Sequence, residues 1–305
     1  LICLYAGGHL LLESMPGLAK SLMVDTLAKI INVPYKRIQC TADLTPQDII
    51  GYIMPIFGTT NFFTVKGPIF ATLILLDEIN RLAEKAQSGL MEGMQEKQIT
   101  IPGAETYMLD DIFTAIGTKN PIETGGTSPI SEAVLDRFMT NVILNYPSLA
   151  EERQIAVSTE VLSKVDICKV CNPEDIMPVR DYLRTEKFKE FMPDDHPIVD
   201  YIVRLVKASR PEECNLILNA ADSKEYKSIV RWSLASPRAD KAFLRAAVVH
   251  SFGILNEKMI LPEHIKSLAK NFFRHRLIIQ AGAEHKGIDP DTIVNWLLDR
   301  VPIYA

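Results

Sequence analysis

The apolar stretch Leu10-Leu11-Leu12 runs almost directly into Met15-Pro16-Gly17-Leu18-Ala19-Lys20-Ser21. About sixty residues later a second apolar stretch, Leu73-Ile74-Leu75-Leu76, ends in the adjacent acids Asp77-Glu78. A short apolar run bounded by turn residues reads as a buried strand. A Gly-containing turn followed by Lys-Ser reads as a loop that opens a helix, whose free amides favour an anion. A chain with these two features must bury two strands and bring a loop and two carboxylates to their exposed ends.

The rest of the first half repeats the alternation. His9 to Glu13 reads as a strand, and Lys20 to Ile31 as a helix with apolar Leu22, Val24, Leu27 and Ile30. Tyr35 to Cys40 reads as a second strand, and Phe70 to Leu76 as one of parallel-sheet character. Glu84 to Glu96 is predicted as a helix with Ala86, Leu90 and Met94 on one face; Asp111 to Ile116 and Asn141 to Leu144 read as further strands. Alternating strands and helices imply a parallel sheet covered on both faces. From about Glu151 the pattern changes to helices only, at Pro197 to Ala208, Pro237 to Phe252, Pro262 to Arg276 and Thr292 to Asp299. A boundary near residues 146 to 152 is implied, giving an α/β core over 1–148 and an all-helical domain over 149–305.

A chain of 305 residues has room for two such domains. Its formal charge of -5 disfavours general binding to polyanions, so no nucleic-acid partner is expected. No apolar run approaches the roughly 18 residues that a membrane helix needs, and no membrane insertion is expected. Five scattered cysteines suit reduced thiols and a cytoplasmic location. Cys168 and Cys171 form a C-x-x-C with no second pair at zinc spacing, so half-buried thiols are favoured over a metal or redox site. Leu1 to Tyr5 reads as the tail of an apolar helix, and a preceding N-terminal piece is expected.

The loop departs from the usual G-x-x-x-x-G-K-[ST] pattern, with Ser14 and Ala19 where glycines belong. Lys20 is placed to neutralise β and γ phosphates, and Ser21 offers a hydroxyl to Mg²⁺. Ser14 is expected to be strained if its position needs φ > 0, whereas Ala19 adds only a methyl. Alone, the loop is equally an ordinary strand-turn-helix. The acids tip the balance: Asp77 reads as an outer-sphere Mg²⁺ ligand and Glu78 as the base that polarises an attacking water. Two acids that simply end a strand are the alternative. The expected chemistry is hydrolysis of a nucleoside triphosphate.

These segments, with QSGLMEGMQEKQITI at 87–101, GTKNPIETGGTSPISEAVLDRF at 117–138, ASPRADKAFLRAA at 235–247 and FFRHRL at 272–277, resemble the AAA+ ATPases and, within them, the MoxR family. The departures are Ser14, Lys119 where the family often has Gln, and Leu234 where it often has Gly. The resemblance implies a P-loop NTPase core with a helical lid and a homo-oligomeric ring, expected to be a hexamer. It also implies that ATP and Mg²⁺ bind in the cleft between core and lid through Pro16, Gly17, Leu18, Ala19, Lys20, Ser21 and Leu22, with Ser21 and Asp77 toward the metal. The resemblance further implies chaperone-like maturation or metal-centre activation of partner proteins, commonly ones with a von Willebrand factor A domain.

By the same resemblance Asn120 matches sensor 1, which orients water between Glu78 and the γ phosphate. A turn residue ahead of Pro121 is the alternative. Arg137 matches the arginine finger, reaching a neighbour's nucleotide, against an Asp136-Arg137 surface pair of small weight. Arg238 matches sensor 2, acting in cis or in trans; a crossing salt bridge would also place a cation there. Arg274, His275 and Arg276 read as a solvated or interface helix face rather than a nucleic-acid contact. A nucleic-acid motor and a non-hydrolysing nucleotide scaffold remain the competing functions.

Overall fold

The computed structural model describes residues 1–120, 130–158, 167–189 and 196–304. In chain order the first elements are α1 (Ile2–Ala6), β1 (His9–Ser14), α2 (Lys20–Ile30), β2 (Tyr35–Gln39), α3 (Pro46–Ile50), β3 (Gly51–Pro55), β4 (Phe62–Lys66) and β5 (Leu73–Asp77). Then come α4 (Glu84–Glu96), β6 (Gln98–Thr100), β7 (Thr106–Met108), β8 (Thr114–Lys119), α5 (Glu132–Leu135) and β9 (Phe138–Leu144). Helices dominate the C-terminal half: α6 (Leu149–Ser158), α7 (Pro173–Arg184), α8 (Glu186–Lys189), α9 (Pro197–Ala208), α10 (Ala220–Ile229), then β10 (Val230–Ser233) and α11 (Pro237–Val248). The chain continues through α12 (Pro262–Phe273), β11 (Leu277–Ile279), α13 (Ala281–Glu284) and α14 (Pro290–Arg300).

Five strands form one sheet in the order β2-β5-β8-β1-β9. β5 runs parallel to both its neighbours, with Leu73 opposite Tyr35 on one side and Thr114 on the other. A strand paired on both edges and covered on both faces must be apolar throughout, and Leu73, Ile74, Leu75 and Leu76 are all fully buried. The edge strand β2 buries Ile38 and leaves Lys36, Arg37 and Gln39 exposed. An edge strand can therefore offer polar side chains to the acidic end of β5.

The expected α/β architecture with a helical C-terminal region is present, and α4 has its expected limits. Several boundaries differ for local reasons. Pro68–Phe70 is a 3-10 turn, so the acidic strand starts at Leu73, whose amide donates to the Pro34 carbonyl. Asp110 accepts from the amides of Ile112 and Phe113 through its side chain and carbonyl, which turns the chain there and delays β8 to Thr114. In α2 it is Val24 and Ala28 that are buried, while Leu22 is 54% exposed.

The helical region is not helices only, because β10 and β11 form an antiparallel pair. Helix α11 stops at Val248 and continues as a π-helical stretch, Val249–Ile254. Two more antiparallel ribbons, β3 with β4 and β6 with β7, are not legible as strands in the sequence. Gly51 opens the first at φ 102, and a Cβ there would lie 2.1 Å from the Val65 carbonyl oxygen, so only glycine lets the two backbones pair this closely.

Packing divides the chain into two compact units. One comprises Leu11–Ile130 and Val142–Ile176 and contains most of the sheet, α2, α3 and α4. The other is assembled from three segments, Leu1–Leu10, Ser131–Asn141 and Met177–Ala305. Its core is one apolar cluster in which Phe243 stacks on Phe272 with ring centroids 4.3 Å apart, and Phe273 meets both rings edge-on. Among the described residues no helix is long and apolar enough to cross a membrane.

Candidate functional site

In the first unit β1, β5 and β8 end at one edge of the sheet, and ligands of open α/β sheets gather beyond the carboxyl ends of their strands. The loop after β1 turns at Gly17, φ 85, and enters α2 through Ala19, φ 49 and ψ 29. Ser14 is not at a positive φ; it is the last residue of β1, 2% exposed, and its hydroxyl donates to the Met15 carbonyl at 3.2 Å. The strain expected at Ser14 is therefore absent, and the left-handed conformation falls on Ala19. Lys20 heads α2 and its Nζ donates to the Met15 carbonyl at 3.3 Å, which keeps the ammonium over the loop. Pro16, Gly17, Ala19 and Leu22 are exposed, and Leu18 and Ser21 are half-buried.

Asp77 ends β5 with both carboxylate oxygens engaged. Thr118 Oγ1 donates to Oδ1 at 2.6 Å, and Arg37 donates to Oδ2 from Nε at 3.1 Å and from Nη2 at 2.6 Å. Burial would push this carboxyl up. The Thr118 and Arg37 hydrogen bonds, with the charges of Arg37 and Lys20, outweigh it and hold Asp77 below its usual value. That Lys20 is felt at Asp77 ties the loop to the acidic strand.

Glu78 takes a left-handed backbone, φ 59 and ψ 50. Non-glycine residues held there cost about 1–3 kcal/mol and cluster at functional sites. The conformation is retained because Glu78 donates its amide to Thr118 Oγ1 at 2.9 Å. One hydroxyl thus donates to the first acid and accepts from the backbone of the second. The Glu78 carboxylate meets Gln39 Nε2 at 3.0 Å and Arg81 Nε at 3.2 Å through Oε2. Asn120 follows β8 and is 9% exposed; Pro121, its expected neighbour in a turn, lies outside the described residues.

Mg²⁺ prefers oxygen donors and keeps several of its waters. The Ser21 hydroxyl and the Asp77 carboxylate are oxygen donors, and because both oxygens of Asp77 are already bonded by protein, that group suits contact through a metal-bound water. The residues present fit the ion.

Arg137 and Arg238 belong to the second unit. Arg137 keeps 16% of its side chain exposed and lies 3.7 Å from Asp136, itself 13% exposed, so the pair is not the surface pair that was the alternative. Burial, then the charge of Arg238, lower the Arg137 pKa, and Asp136 opposes them. Arg238 is exposed in the first turn of α11.

The basic run 274–276 is corrected outright, being neither a solvated face nor a free patch. Arg274 pairs with Asp291 through two 2.6 Å hydrogen bonds and donates to the Asn141 carbonyl. His275 Nε2 donates to the Phe138 carbonyl at 2.9 Å, and burial followed by the charges of its arginine neighbours pushes its pKa well down. Arg276, 1% exposed, donates to the carbonyls of Phe138 and Met139. Side chains that would have read as a charge cluster instead fasten β9.

Sequence reasoning missed Thr118, Arg37 and Gln39. Thr118 was within reach, since pairing Leu76 with Gly117 puts the next residue of β8 opposite Asp77. Neither Cys168, which is exposed, nor Cys171, which is half-buried, is in a disulfide, and no cluster of three or more metal-ligating side chains occurs among the described residues.

Residues 9–140 match the family model for ATPases associated with various cellular activities, AAA_3. The chain is 35% identical over 305 residues to the chaperone MoxR1 of Mycobacterium tuberculosis, covering 99% of this chain and 76% of that protein. It is 33% identical to YeaC of Bacillus subtilis, an uncharacterised protein, covering 99% and 88%. Among solved structures, a candidate ATPase from Cytophaga hutchinsonii superposes with a TM-score of 0.82 at 36% identity, covering 99% of this chain and 87% of that one.

Proposed function

The chain belongs to the MoxR family of AAA+ ATPases, and from that premise we propose that it hydrolyses Mg-ATP to remodel or activate partner proteins. The observation that carries the reading is the Thr118 hydroxyl, 2.6 Å from Asp77 Oδ1 and 2.9 Å from the Glu78 amide, in a unit where the charge of Lys20 is felt at Asp77. Pro16 to Leu22 cradle the phosphates, with Lys20 as the counter-charge. Ser21, and Asp77 through a water, would hold Mg²⁺, which would supply positive charge to the phosphates. Glu78 takes the proton of the attacking water, and Asn120 orients that water. Hydrolysis yields ADP and inorganic phosphate.

Arg137, from the next subunit of a hexameric ring, stabilises charge on the transferred phosphoryl group, and Arg238 contributes a second guanidinium. A core over 1–148 and a lid over 149–305 change their mutual angle with the state of the nucleotide, and that motion is the output. The client is a folded partner protein, with a von Willebrand factor A domain as the first candidate, and the location is cytoplasmic. The scaffold reading loses its motive, because Ser14 occupies ordinary strand backbone.

Steady-state ATP hydrolysis and nucleotide binding test this together. Lys20→Ala is expected to lose binding, and Glu78→Gln to bind ATP while turnover falls at least about a hundredfold. Normal turnover in Glu78→Gln overturns the assignment of the base.

A further inference from the structure

Asp136 closes α5 and precedes Arg137. Its carboxylate meets three groups of its own compact unit. Ser236 Oγ donates to Oδ2 at 3.1 Å, Arg137 Nη1 lies 3.7 Å from Oδ2, and Arg276 Nε lies 3.6 Å from Oδ1. The contact at 3.6 Å is an attraction of charges rather than a hydrogen bond.

Each partner is specialised for holding this carboxylate. Ser236 is the N-cap residue of α11, where serine ordinarily accepts from an amide of its own helix. No such side-chain bond forms, and the hydroxyl turns to Asp136 instead. Arg276 is fixed over the Phe272 ring at 4.2 Å and by the carbonyls of Phe138 and Met139, the two residues that come directly after Arg137. Burial lowers its pKa to about 10, still far enough above neutrality to keep the charge. A buried cation demands an anion beside it, and that demand keeps the Asp136 side chain turned inward.

The same carboxylate therefore touches Arg137 directly and, through Ser236, the helix turn that carries Arg238. Burial, and then the charge of Arg238, lower the Arg137 pKa, and Asp136 opposes both.

Resting on the ATPase function proposed for this chain, we propose that Asp136 is a positioning residue: it holds Arg137 by its charge and, through Ser236, ties the turn that carries Arg238 to the same carboxylate, so that the two arginines keep a fixed relation during turnover.

Steady-state kinetics on the full chain test this. Ser236→Ala deletes one hydrogen bond and leaves both ion pairs. The expected result is a kcat for ATP about tenfold lower, KM within about twofold and an unchanged thermal midpoint, with Ser236→Thr restoring kcat. An unchanged kcat, or a drop accompanied by a lower midpoint that Thr does not rescue, overturns the yoke. A parent chain without turnover overturns the ATPase reading itself, whereas an active parent whose Ser236→Ala variant is unaffected overturns only the yoke.

Discussion

Replacing Thr118 by Val preserves shape in a site that is 1% exposed and removes only the hydroxyl. Two bonds go with it, one to the Asp77 carboxylate at 2.6 Å and one from the Glu78 amide at 2.9 Å. A hydrogen bond to a charged group contributes about 1.5–3 kcal/mol, and an orphaned buried amide costs about 1–3 kcal/mol. The second loss bears on function because that amide bond is what retains Glu78 at φ 59. Once released, the residue can relax toward ordinary backbone angles and carry its carboxylate out of line. Taking about 2 kcal/mol as the part that reaches the transition state, kcat should fall about thirtyfold. The Lys20 loop is untouched, so KM for ATP should stay within about twofold. Steady-state hydrolysis beside a thermal melt measures both, and Thr118→Ser should recover kcat to within about threefold. A Thr118→Val enzyme with kcat within a factor of about two of the parent, or a Ser variant no better than Val, would refute the role given to this hydroxyl.

The other expectations concern stability. Ala19→Gly should raise stability by about 0.5–1 kcal/mol in urea titration, because a left-handed alanine costs about 1–2 kcal/mol and the extra freedom of unfolded glycine returns part of it; a lower midpoint contradicts the strain argument. Gly51→Ala should lose at least about 3 kcal/mol, or melt the β3–β4 ribbon first in hydrogen exchange, because its new methyl meets the Val65 carbonyl at 2.1 Å; native-like protection would be the contrary result. Burial raises Asp240 from 3.8 to about 6, so the folded state binds its proton more tightly and stability falls as pH rises from about 4 to above 6. Asp240→Asn should therefore stabilise by about 1 kcal/mol at pH 7.5, after discounting for partial exposure, and by nothing at pH 4; an equal gain at both values contradicts this assignment.

The parts of this protein that could be read from its residues are those fixed by local pattern. A fully buried parallel strand has to be a run such as Leu73 to Leu76, and α4 shows its period over three turns and more. The loop was legible through Gly17, Lys20 and Ser21, yet which residue bore the unusual backbone angle was not, because φ is set by how β1 meets α2 rather than by the motif's spelling. The short ribbons escaped notice since three to five residues of β6 or β3 carry too few alternations to register. The charged run 274–276 misled because its partners are main-chain carbonyls of β9, about 137 residues away in sequence, and a carbonyl leaves no mark in a sequence. Thr118 and Asp136 act through register and long-range packing, which composition does not encode.

The unit assembled from three segments bears on the order in which the chain can fold as a ribosome delivers it. The unit carrying the phosphate loop and the acids is complete in sequence by Ile176 and can close during synthesis. The other cannot. Asp136 leaves the tunnel 140 residues ahead of Arg276, and Cys3 leaves 137 ahead of Thr140, its hydroxyl partner at 3.1 Å. Until the last third of the chain arrives, Asp136 lacks Arg276 and Ser236, and the side chains that fasten β9 are missing. A nascent chain of this kind could thus close the unit that bears the loop and the acids well before the unit that bears Arg137.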